Sequence, residues 1–91
     1  MGKVEAFALA GIEVWFNSND HIPPHFHAKR PGEWEIRVFF LECTAGNLAF
    51  QIKWGKKKGP LSGERAAMLA AVLKHRAALL KEWEQKVCTS K

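Results

Sequence analysis

From Glu64 to Val87 the chain contains neither proline nor glycine. In a chain of 91 residues this run is the strongest constraint on the fold, because it commits a large share of the length to helix. Within it Leu69, Val72, Leu73, Leu80, Trp83 and Val87 recur at three- and four-residue steps and form one apolar stripe. Ser62 is the expected N-cap, with Glu64 in the first turn where an acidic side chain suits the helix dipole. The span 62–87 is long for a small domain. A break near His75 into two helices fits the pattern as well as a single helix.

What precedes the helical run reads as strands. Val4 to Leu9 is a short apolar segment, followed by a turn at Ala10-Gly11. Ile12, Val14 and Phe16 alternate with Glu13, Trp15 and Asn17, the period of a half-buried strand. Asn17 to Pro24 is a polar, proline-bearing connection, and His25 to Arg30 reads as a further strand. Arg30-Pro31-Gly32-Glu33 is a turn signal. Trp34, Ile36, Val38 and Phe40 then alternate with Glu35, Arg37 and Phe39. After a loop over 43–47, Leu48, Phe50, Ile52 and Trp54 alternate with Ala49, Gln51 and Lys53.

Strands followed by helix predict an α+β fold: an antiparallel sheet of four or five strands, then one long or two shorter C-terminal helices packed on one face. The length fits one domain over 1–91, with strands over about 4–54, a basic loop over 55–61 and helix over about 62–87. A domain this small buries only about 60–65% of the surface exposed when unfolded. The four tryptophans and six phenylalanines must therefore supply much of its core.

No stretch reaches the roughly 18 apolar residues a membrane span needs, and Met1 to Ala6 lacks the apolar core of a signal peptide. Cys43 and Cys88 lie outside any C-x-x-C spacing, which reads as two reduced thiols and a cytoplasmic location. The net charge of +5 and pI near 9.5 favour polyanionic partners.

Chemistry concentrates in Asn19-Asp20-His21-Ile22-Pro23-Pro24-His25-Phe26-His27, with three of the four histidines in nine residues. The proline pair stiffens it. His25 and His27 lie two apart on a strand and project to one face. With Asp20 and His21 they make a donor set suited to Zn²⁺ or a similar transition metal. His25 and His27 also suit metal-free acid–base chemistry on a phosphodiester, with Lys29, Arg30 or the lysine tract holding the phosphate. The third reading is structural: the imidazoles bond backbone groups and fix the corner between two strands.

The Pro31-Gly32 turn decides which face the histidines take. An even loop sets His27 opposite Ile36, under the helix. An odd loop sets both histidines on the face of Glu35 and Arg37. Proline disfavours the simplest two-residue hairpin, and the parity stays open.

The run Phe16-x3-Asp20-His21-x-Pro23-Pro24-His25-Phe26-His27 resembles the signature of a family of small bacterial proteins of unknown function, with an F-x-D-H-x-P-P-H-F-H core. Leu79-Leu80-Lys81-Glu82-Trp83 is similar to that family's later Leu-Leu-x-x-Trp pattern. The resemblance covers roughly residues 10–85. It implies a small α+β protein, encoded beside another small protein in a toxin–antitoxin-like pair, with Asp20, His21, Pro23, Pro24, His25 and His27 as the motif positions.

Lys53, Lys56, Lys57, Lys58 and Arg65 lie within 13 residues, with Trp54 among them. Basic side chains beside an exposed aromatic can hold phosphates while stacking a base. The alternation instead places Trp54 as the last inward residue of its strand, with the lysines in a solvated loop. Three functions follow: a toxin-like or toxin-partner protein contacting RNA or DNA, a transition-metal-binding protein, or a non-catalytic interaction module whose histidine motif is structural. Whether the chain is an enzyme is not written in these residues.

Overall fold

The computed structural model describes residues 2–17, 23–55 and 59–87. In chain order the elements are β1 (Gly2–Lys3), β2 (Glu13–Phe16), β3 (Phe26–Arg30), β4 (Trp34–Val38), β5 (Phe50–Gly55) and α1 (Ser62–Lys86). The five strands form one antiparallel sheet in the order β1-β2-β3-β4-β5. Four are full strands and β1 is a two-residue edge. This is the α+β architecture expected from strands followed by helix.

The turn after β3 settles the parity. Arg30 pairs with Trp34, so the loop is the odd, three-residue Pro31-Gly32-Glu33. Gly32 has φ +79, and the Glu33 N–H donates to the Arg30 carbonyl at 2.9 Å, as in a type II turn with proline before glycine. His27 therefore pairs with Arg37, and Ala28 with Ile36. Val14, Phe16, Phe26, Ala28, Trp34, Ile36 and Val38 form the inner face and are buried. Met68, Val72, Leu79 and Trp83 of α1 are buried with them in one core. Phe16 packs edge-on against Phe40 and Trp83, with ring centroids 6.5 and 6.2 Å apart.

Several local expectations are corrected. Residues 4–9 are not a strand, although Val4 is buried and its N–H donates to Val14. Phe7 instead packs edge-on against Phe26 and stacks on His75. The N-cap is Leu61 rather than Ser62. The Leu61 N–H is satisfied by the Glu64 carboxylate at 2.8 Å, one half of a capping box. Glu64 also pairs with Arg30, tying the helix start to the end of β3.

The buried helical residues are Met68, Val72, Leu79 and Trp83, while Leu73 is 40% exposed. Of the expected stripe, Val72, Trp83 and Val87 are buried and Leu69 and Leu80 pack against the core, so Leu73 alone departs from it, while Met68 and Leu79 join it. The break near His75 is present as a kink in a continuous helix, with His75 at φ −113, ψ 18. There Arg76 donates to the Cys43 carbonyl. Cys43 is a buried free thiol, and burial pushes its pKa up. Cys88 lies outside the described residues.

Gly59 and Gly32 both hold positive φ, but their surroundings differ. A Cβ on Gly59 would stand 3.2 Å from Ile52 Cγ1 and 3.3 Å from its Cδ1, whereas one on Gly32 would meet nothing within 4 Å. Alanine at either site costs about 1–2 kcal/mol in backbone conformation. Gly59→Ala must also displace Ile52. Urea unfolding should show Gly59→Ala to be the more destabilising of the two.

Candidate functional site

His25 and His27 are 6% and 2% exposed. His25 Nδ1 lies 2.9 Å from the Pro23 carbonyl oxygen, so Nδ1 carries the hydrogen and donates. Asn17 Oδ1 accepts from the Trp15 indole N–H at 3.0 Å, because an indole can only donate. The Asn17 amide nitrogen is thereby turned to His27 Nε2, 3.2 Å away, and that nitrogen accepts. The Trp15 and His27 rings stack with centroids 5.4 Å apart, and the His25 and His27 rings meet at 5.1 Å. His25 also packs on Phe39 and on Trp83 of α1, each at 5.5 Å. The pair thus joins the entry to β3, the end of β2 and the far part of the helix in one aromatic corner.

Asp20 and His21, the other expected metal donors, lie outside the described residues. Among the described residues, no group of three or more His, Cys, Asp or Glu side chains is placed to hold a metal ion. Both rings are buried, and a substrate could reach either only by displacing its neighbours.

The second feature is the face of the sheet turned away from α1. Across it, successive register partners are Lys3, Trp15, His27, Arg37 and Gln51. The next row reads Glu13, Lys29, Glu35 and Trp54. Trp54 was expected inside and is not. Ile36 pairs with Ile52 but Glu35 pairs with Trp54, which leaves Lys53 as the extra residue of a β-bulge. The bulge resets the alternation, and Trp54 emerges 43% exposed.

Its indole N–H donates to Glu35 Oε1 at 2.9 Å, and Lys53 Nζ lies 3.3 Å from Glu35 Oε2. Arg37 donates to Gln51 at 3.2 Å on the same face. Burial by itself would raise the Glu35 pKa, but the Trp54 and Lys53 hydrogen bonds, the Lys53 charge and a smaller effect of His27 together hold it below the usual carboxylate range.

Of the predicted basic residues, Lys53 is on this face with its side chain 42% exposed. Lys56, Lys57 and Lys58 lie outside the described residues. Arg65 is elsewhere: it donates to the Pro60 carbonyl and lies over the Phe50 ring at 5.5 Å. Arg30, considered as a phosphate holder, is committed to Glu64. Trp15 and Arg37 lie on the face because they alternate with the buried Val14, Phe16, Ile36 and Val38, and the odd turn adds His27 and Lys29 to it, a parity the turn residues left open.

A model for DUF4160, a domain of unknown function, matches residues 11–84. The chain belongs to this family. No match is found among curated proteins or among solved structures. The DUF4160 match spans the sheet from β2 onward, the histidine corner and nearly all of α1. No helix among the described residues of this DUF4160 protein is long and apolar enough to cross a membrane.

Glu35 gives a pH test of the open face. Its folded pKa is below the ordinary 4.5, so its stabilising contribution is present above that value and is lost as pH falls through the folded pKa. Glu35→Gln should lower stability at neutral pH by about 1 kcal/mol. Thermal unfolding of both proteins across pH 7 to 2 should show the difference shrinking as the pH drops below about 4.

Proposed function

We propose that this DUF4160 protein contacts nucleic acid through the face of its sheet turned away from α1. The observation that carries this reading is the bulge that brings Trp54 out beside Lys53, on the face that also bears Lys3, Lys29 and Arg37. The acids of that face are Glu13 and Glu35, and Glu35 is already engaged by Lys53 and Trp54. The net charge of +5 agrees with a polyanionic partner. Lys56, Lys57 and Lys58 follow β5 directly in the chain and add to its positive charge. In this reading the protein acts as a toxin-like or toxin-partner component of a two-gene module, a role that rests on the resemblance of the Asp20 to His27 motif.

The histidine corner is then a brace. His27 stacks on Trp15 and so fixes an aromatic residue of the face, while His25 anchors the same corner to Trp83. Burial of both rings favours this structural role over acid–base catalysis. A metal site at Asp20, His21, His25 and His27 is the alternative use of the same segment.

Salt dependence tests the proposal. Binding of an oligonucleotide in which about four phosphates are neutralised should weaken with salt, with a log–log slope of roughly −3 to −4. Replacing Lys29, Arg37 and Lys53 together with glutamine should flatten the slope by about two to three. Absence of binding at low salt, or an unchanged slope in the triple variant, would refute the role of this face.

A further inference from the structure

The chemistry of Trp54 bears on which form of nucleic acid the face takes. Its N–H is already spent on Glu35. What the exposed indole offers a ligand is therefore a π-face rather than a hydrogen-bond donor. A π-face recognises a base by stacking, and the bases of a duplex already stack on one another.

The shape of the surface points the same way. Five strands at about 4.8 Å spacing make a face roughly 19 Å across. That is wider than the major groove, at about 12 Å, so the face as a whole does not enter a duplex. We infer that the open face is a platform for single-stranded RNA or DNA, with one base stacked on Trp54 and the strand running across the sheet toward Trp15. This inference rests on the nucleic-acid reading above.

The order of side chains along that path is the second observation. From one edge to the other they are Lys3 on β1, Trp15 on β2, Lys29 on β3, Arg37 on β4, and Lys53 with Trp54 on β5. The two tryptophans are three strand intervals apart, about 14 Å. Cations on the two intervening strands can take the phosphates between the stacked bases.

One side of Trp15 is occupied by His27. Trp15 also lines a cleft of about 500 Å³ at the β2 edge, together with Lys3, Phe7, Leu9, Ile12 and Glu13. Its volume is within the range of small-molecule sites. Its mainly apolar walls suit a base leaving the platform, with Lys3 at the rim for the adjoining phosphate.

The test is fluorescence anisotropy on the full chain at low salt, with labelled 12-nucleotide single strands of RNA and of DNA and with the matching 12-base-pair duplexes. Single strands of at least one of the two chemistries should bind about tenfold or more tightly than the duplexes. Trp54→Ala should weaken single-strand binding about 5- to 100-fold, and Trp54→Phe, which keeps a π-face but no N–H, should recover most of it. Duplex binding should be the same in all three proteins.

Equal affinity for single strand and duplex would overturn the inference. So would single-strand binding unaffected by Trp54→Ala, or equal loss in Trp54→Ala and Trp54→Phe, since that would assign the effect to the bond with Glu35. No binding of any oligonucleotide would instead overturn the nucleic-acid reading itself.

Discussion

Strand β4 is the element on which the rest of the structure registers. Trp34, Ile36 and Val38 are buried while Glu35 and Arg37 lie on the other side. Burying the first set against α1 is the favourable term a small domain has to secure, and it fixes which way β4 faces. Its two neighbours must then place their own apolar residues on the same side, because a one-residue slip exchanges the faces of a whole strand. β3 meets this condition through the three-residue turn at Pro31-Gly32-Glu33. β5 meets it as far as Ile52 and then departs from it through the extra residue Lys53.

The departure has a chemical consequence. A tryptophan in strict alternation after Ile52 would have added to the core. The bulge instead presents it beside a lysine, with its polar end held by a carboxylate on the neighbouring strand. The energy that apolar burial of Trp54 would supply is given up, and what results is an aromatic and basic face. The histidine corner works in the opposite sense. It takes polar rings out of water, orients them through Pro23 and Asn17, and uses their flat surfaces to join Trp15, Phe39 and Trp83.

The order of elements, the antiparallel pairing and the helix over 62–86 were legible because each rests on local signals: period-two alternation, turn residues and an uninterrupted helical run. The position of the kink was legible too, at His75. The side of the helix that packs was legible in Val72, Trp83 and Val87, which are buried, and in Leu69 and Leu80, which pack against the core, whereas Leu73 is exposed and Met68 and Leu79 were not singled out because small and apolar residues also stand beside the stripe. The face taken by His27 was open because Arg30-Pro31-Gly32-Glu33 admits loops of either parity. Trp54 was misplaced for a plainer reason: nothing in Phe50-Gln51-Ile52-Lys53-Trp54 marks a bulge, which arises from pairing with Glu35 and Ile36 far away in sequence. The histidine segment drew notice by residue type, but whether such rings are buried depends on partners such as Trp83 that only the folded chain supplies.

The aromatic and basic face depends on Trp54 standing outside the core. Collisional quenching of tryptophan fluorescence by acrylamide, compared between the wild-type protein and Trp54→Phe, measures this directly. Trp34 and Trp83 are 2% and 3% exposed, and Trp15 is covered on one side by His27. Most of the readily quenched emission should therefore come from Trp54 and disappear in the variant. A wild-type protein whose emission resists quenching, or a variant quenched as readily as the wild type, would place Trp54 in the core and contradict the bulge.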